Sequence, residues 1–176
     1  YQIRCLVGDA EYSASRFLPT HQISNLCVRI IFFCSCDRST VVTMQLLGFV
    51  SLVAPAVVRG NTVIAVPSQS HPLAATTLYQ VLDTSDLPGG VINIVTGDAD
   101  HLSKHLVMHE DVDGMWYFRG SAEGSFHIEN FSAGNMKRTF TDYGHARDWT
   151  NPLSAEGEEF LIEASESKSV WVPMGE

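Results

Sequence analysis

No cysteine occurs after position 36 in this 176-residue chain; the four present are Cys5, Cys27, Cys34 and Cys36. Disulfides therefore cannot staple most of the sequence, and a reduced, cytoplasmic setting is the expectation. Cys34-Ser35-Cys36 lacks the two-residue spacer of common zinc and thioredoxin sites, and only His21 lies near as a further ligand, so these read as ordinary thiols. Positive charge is scarce: 11 Lys and Arg face 20 Asp and Glu, a net charge of −9. No basic field exists to displace counterions from nucleic acid, which is excluded as a partner. The longest apolar runs, Leu26 to Cys34 and Leu46 to Val58, fall short of the roughly 20 residues of a membrane span, so no membrane partner is expected. The first residues show no basic segment followed by an apolar one, as a secretory leader would, and no initiator methionine. The chain reads as a piece of a longer protein. Internal repeats and low-complexity tracts are absent too.

What is present is 45% apolar and 18% charged residues, an ordinary globular balance. Residues 1 to about 40 hold no sustained period of 2 or 3.6, and only Leu26 to Phe33 suggests a buried strand. From Leu46 an apolar stretch broken by Pro55 runs to Arg59 and stops at Gly60-Asn61, a helix C-terminal signal. Thr62 to Val66 is an apolar run that hardly alternates, which predicts a fully buried strand. Pro72 opens a helix whose Ala74, Ala75, Leu78, Val81 and Leu82 share a face, ending before Leu87-Pro88-Gly89-Gly90. Val91 to Val95 reads as a second buried strand, Asp98 or Asp100 as the cap of a helix carrying Leu102, Leu106 and Val107. Met115 to Phe118 is a third strand, with Trp116, Tyr117 and Phe118 as core. Ser121 caps a helix to about Ala133, and Lys137 to Thr141 is a fourth short strand. Strands alternating with amphipathic helices predict an α/β fold with a parallel sheet and right-handed crossovers. Arg147 to Gly157 has linker character, and Phe160 to Glu163 and Val170 to Val172 look extended.

Four segments, in this order, resemble the aldehyde dehydrogenase superfamily: Ala54-Pro55-Ala56-Val57-Val58-Arg59-Gly60-Asn61-Thr62-Val63, Leu87 to Gly97, His109-Glu110-Asp111-Val112-Asp113, and Phe118-Arg119-Gly120-Ser121-Ala122-Glu123. Glu163 to Val172 resembles the C-terminal strands that cross to a neighbouring subunit in that family. With only a linker between Trp149 and Phe160, the arrangement is similar to the shortened, non-catalytic second half of aldehyde dehydrogenase family 16, where such a remnant follows a full-length unit. The resemblance implies a partial Rossmann-like parallel sheet with flanking helices and oligomerisation-type strands. Its division of the chain is an unassigned segment 1–45, a nucleotide-binding-type domain 46–146, a linker 147–157 and a strand tail 158–176.

The family's reaction uses a cysteine thiolate, an oxyanion-stabilising amide, a glutamate base and a nicotinamide that takes the hydride. Here the nucleophile would lie beyond Thr139, where no cysteine exists. The glutamate aligns with Asp142, a shorter acid that reads as a capping residue, and two consecutive glycines become Gly144-His145. The oxyanion asparagine falls near Thr43. No catalytic residue is therefore assigned, which implies a pseudoenzyme with a scaffold, dimerisation or regulatory role. The alternative is part of an NAD(P)-dependent aldehyde dehydrogenase whose active unit lies upstream. The cofactor positions are Val66, Pro67, Ser68, Gln69, Gly120 and Ser121. Gly120-Ser121 keeps a helix N-terminus that suits a pyrophosphate. The ribose-binding lysine and glutamate have become Val66 and Gln69, and each lost interaction weakens NAD(P) by on the order of 1.5 to 3 kcal/mol. Arg119 stands where the family prefers threonine. His101, His105 and His109 recur every four residues but border an apolar stripe, and no metal is assigned to them. A homo-oligomer, or docking to an upstream aldehyde dehydrogenase unit of the same polypeptide, is the partner expectation.

Overall fold

The computed structural model describes residues 30–34, 42–145 and 147–166, with side chains from residue 46 onward. Its strands are β1 (Ile30–Cys34), β2 (Thr62–Val66), β3 (Ile92–Ile94), β4 (Gly114–Tyr117) and β5 (Arg138–Thr141). Its helices are α1 (Val42–Val58), α2 (Leu73–Asp83), α3 (Ala99–Val107), α4 (Ala122–Ser132), α5 (Pro152–Ala155) and α6 (Glu158–Glu163), with a 3-10 turn at Ala133–Asn135. The strands form one sheet in the order β3-β2-β1-β4-β5, with every neighbouring pair parallel. This is the doubly wound arrangement in which the strand order reverses beside β1. The central strand, β1, overlaps the buried strand that Leu26 to Phe33 suggested, within the otherwise unassigned first 45 residues.

Strand alternation divides the core. Val63 and Ala65 of β2, with Trp116 of β4 and Phe118 just beyond it, join Phe49, Leu52, Val53 and Ala56 of α1, Ala75 of α2 and Phe160 of α6. Ile64, Val66, Met115 and Tyr117 face the other way, against Leu106 and Val107 of α3 and Ile128 of α4. Successive side chains of an extended chain point to opposite faces, so one continuous apolar run feeds both layers. Trp116, Tyr117 and Phe118 are buried core, as their setting in the sequence implied.

Helix α1 continues through Pro55, which therefore does not break it. A proline inside a helix removes one ladder bond at a cost of about 3 kcal/mol; burial of Phe49, Leu52, Val53 and Ala56 along the same helix offsets that. Its end is a Schellman motif: Gly60 takes φ +83°, with Gly60 N–H donating to Val57 O at 2.9 Å and Asn61 N–H to Ala56 O at 3.1 Å. Helix α2 follows Pro72, but Val81 is 61% exposed and lies off the inner face. Asp98 caps α3 by accepting from Asp100 N–H at 3.1 Å.

The region after β5 differs from the sequence expectation. Phe160 to Glu163 is helical, not extended, because Phe160 is 1% exposed and turns its ring into a cluster with Trp116, Phe118, Phe140 and Trp149. Asn151 caps α5 by accepting from Leu153 N–H at 3.1 Å, and Trp149 and Ala155 of the 147–157 stretch are buried in the core with α1. Val170 to Val172 lie outside the described residues, as do Cys5, Cys27, Cys36 and His21 and the side chains of Cys34 and Thr43.

Candidate functional site

In an open parallel sheet, ligands collect at the carboxyl ends of the strands beside the point where strand order reverses. That point here flanks β1, where Cys34 is in register with Val66 on one side and Tyr117 on the other. The segments Val66-Pro67-Ser68-Gln69 and Gly120-Ser121 therefore leave the same edge of the sheet, two strand spacings or about 10 Å apart. The fold brings together the two halves of the cofactor site expected from the sequence.

The β2 half is closed. Val66 is fully buried, and its side chain belongs to the layer under α3 and α4. Pro67 and Ser68 are also buried, and Ser68 Oγ lies 2.8 Å from Ser70 Oγ. The crevice they border with Phe49, His71 and Ala75 holds about 10 Å³, room for about one water and not for a ribose. Gln69 is exposed.

The β4 half is open. Gly120 turns the chain at φ +69°, a left-handed conformation that favours glycine, and delivers Ser121 as the cap of α4. Ser121 Oγ accepts from Gly124 N–H at 3.1 Å. Gly124 is where α4 crosses β4, and a Cβ there would stand 2.2 Å from Tyr117 Oη. Beside this helix start, between α3 and α4, lies an open cleft of about 260 Å³; its walls include Asp100, Lys104, Ser121 and His127, with Ile128 and Phe131 as apolar parts. Arg119 reaches across the rim to Asp100 at 3.1 Å, and Tyr117 Oη donates to the same carboxylate oxygen at 3.3 Å.

Asp142, the position that aligns with the family's base, is a turn-binding carboxylate. Its Oδ2 accepts from Gly120 N–H at 2.8 Å and its Oδ1 from Gly144 N–H at 3.2 Å. The neighbouring Tyr143 donates its phenol to Glu129, and that bond to a carboxylate holds the Tyr143 phenol above its ordinary 10.0. His101 and His105 stack edge to face at 4.6 Å on the exposed side of α3, and His109 Nδ1 accepts from Asp111 N–H at 3.2 Å in the following turn. Among the described residues no three His, Cys, Asp or Glu side chains converge to hold a metal ion, and no helix is long and apolar enough to cross a membrane.

Three contributors escaped the sequence reading. Asn61, buried and next to the helix-ending glycine, donates its amide to Ala56 O at 2.9 Å and to Ala164 O at 2.8 Å, tying α1 to α6. Arg147 lies against the rings of Phe118, Phe140 and Phe160 at 5.3, 5.9 and 5.0 Å while bonding Glu159 at 3.1 Å. Lys137 donates to His109 O and Val112 O beneath α3. None of the three roles has a local signal, because each depends on partners distant in sequence.

A parallel sheet in this order, with helices on both faces, defines a doubly wound α/β domain. The aldehyde dehydrogenase family profile matches residues 45–147, more than half of the chain, and the chain belongs to that family. It is 33% identical over 90 residues to the NADP/NAD-dependent aldehyde dehydrogenase PuuC of Escherichia coli (strain K12), covering 51% of this chain and 18% of the relative. To the 2-aminomuconic semialdehyde dehydrogenase of Homo sapiens it is 37% identical over 92 residues, covering 52% and 19%. Among solved structures it is similar to an indole-3-acetaldehyde dehydrogenase in apo form, with a TM-score of 0.60 and 26% identity over 66% of this chain and 26% of that one. The chain spans about a fifth of the length of the curated relatives it matches.

Proposed function

We propose that this chain is a non-catalytic, nucleotide-binding-type domain of a longer aldehyde dehydrogenase polypeptide, with a scaffold, dimerisation or regulatory role. The observation that carries the reading is Asp142: where the family's base aligns, both carboxylate oxygens are engaged by backbone amides of the β4–α4 and post-β5 turns. An acid fixed in this way serves the fold, since turning either oxygen toward a substrate would break a bond to a backbone amide. No cysteine follows Cys36 to act as the thiolate. The test is NADH formation from a panel of aldehydes, with all four cysteines replaced by serine as the control. No turnover above the buffer rate is expected, and cysteine-independent turnover would overturn the reading.

The partner in this reading is a second copy of the chain or an upstream unit of the same polypeptide, as in the shortened half of family 16, in the cytoplasm. Exposed apolar side chains support it: Phe126 on α4 is 65% exposed and Ile162 on α6 is 58% exposed. Light scattering of the chain with and without such a unit tests it; a monomer that binds neither would refute it.

A second reading, a weakened NAD(P) site, is favoured by the open cleft of about 260 Å³ beside the Ser121-capped start of α4. The buried Val66 leaves the ribose without its charged partner, so binding in the millimolar range is expected. Calorimetric titration decides it, and no heat and no thermal shift at millimolar NAD would exclude it.

A further inference from the structure

The Asp142 carboxylate engages the backbone donors of the turn that leads into α4. Gly120 N–H, the backbone donor just ahead of the α4 cap, is directed at Asp142 Oδ2 at 2.8 Å, and the other oxygen takes Gly144 N–H at 3.2 Å. The aspartate's own backbone is pinned as well, because Asp142 N–H donates to Tyr117 O at 3.3 Å and His145 N–H donates to Asp142 O at 2.9 Å. Turning the side chain away would break both carboxylate bonds and leave the Gly120 and Gly144 amides without this acceptor. Backbone donors and the positive end of a helix dipole favour a negative group there, whether it comes from the protein or from a ligand. A phosphate brought to the Gly120 amide meets a like charge and a donor already bonded.

We propose that Asp142 is an internal anion that closes the β4–α4 turn to the phosphates of a nucleotide, making it the specificity-determining residue of this edge of the sheet. This rests on the reading of the cleft as a weakened nucleotide site. Calorimetric titration of the 176-residue chain with inorganic pyrophosphate and, separately, with NAD tests it on the wild type, Asp142→Asn, Asp142→Ala and Glu123→Gln. Removing the carboxylate in either Asp142 variant raises pyrophosphate affinity at least about tenfold, the worth of one charge-assisted hydrogen bond. Pyrophosphate also restores the thermal stability that the variants lose when unliganded. Unchanged pyrophosphate affinity in both variants overturns the proposal, and so does an equal gain in Glu123→Gln, which would assign the effect to general charge. If neither Asp142 variant folds even with pyrophosphate present, the carboxylate is a folding requirement and the proposal falls. A variant that gains pyrophosphate but takes no NAD upholds the closed turn while refuting the nucleotide reading. A wild-type chain that binds NAD tightly does the reverse.

Discussion

At the scale of single residues, the polar groups that matter most are those that join segments distant in sequence. Asn61 is 4% exposed and bridges two carbonyls, one in α1 and one at the end of α6. Asn61→Ala removes the side-chain donor to Ala164 O, while Ala56 O keeps the backbone amide of residue 61, and a loss of about 1 to 3 kcal/mol in urea unfolding is expected. Lys137 offers a test by pH. Burial pushes its ammonium below the ordinary 10.5, with Asp113 and Asp111 offsetting part of the effect. Between that lowered value and 10.5 the unfolded chain holds more protons than the folded one, so stability rises with pH through this window. Below the window the full desolvation penalty is present. Urea midpoints measured as pH is raised towards 10.5 should climb more steeply in the wild type than in Lys137→Met. Asn61 stood within a family motif and was legible as a helix stop, but its second role depended on Ala164, which no local pattern connects to it.

At the scale of elements, helix-to-strand approach is set by a few small residues. Gly124 lets α4 lie against Tyr117, and a methyl there would fall within 2.2 Å of the phenol oxygen. Gly124→Ala is expected to lower stability by about 1 to 3 kcal/mol, through overpacking, and to displace the Ser121 cap; thermal unfolding and hydrogen exchange at Gly124 N–H check the two effects. Strands β2 and β4 and helices α3 and α4 were legible because their apolar periods and caps are local. Helix α6 was not. Phe160-Leu161-Ile162-Glu163 is too short for its period to separate helix from strand, and burial of the Phe160 ring decided between them. Phe160→Ala empties that position and should cost about 3 to 5 kcal/mol in chemical denaturation.

At the scale of the whole molecule, β1 holds the sheet together, since β2 and β4 each pair with it and not with one another. Deleting residues 1–41 would leave β2 with β3 and β4 with β5, two separate pairs with open inner edges. Loss of cooperative unfolding is expected, read by circular dichroism, and a truncated chain that unfolds with an unchanged midpoint would contradict the central place of β1. The sequence by itself determined the α/β class, the parallel sheet, the helix caps and the lack of a thiolate beyond Cys36, because each follows from local period, turn chemistry or residue identity. The family resemblance also singled out Val66 to Gln69 and Gly120-Ser121, which follow β2 and β4 at one edge of the sheet. Tertiary structure alone decided that Val66 is core, that Asp142 binds the Gly120 amide, and that the segment after β5 folds back as helices. Those outcomes depend on which distant groups the sheet order brings within hydrogen-bond or van der Waals reach.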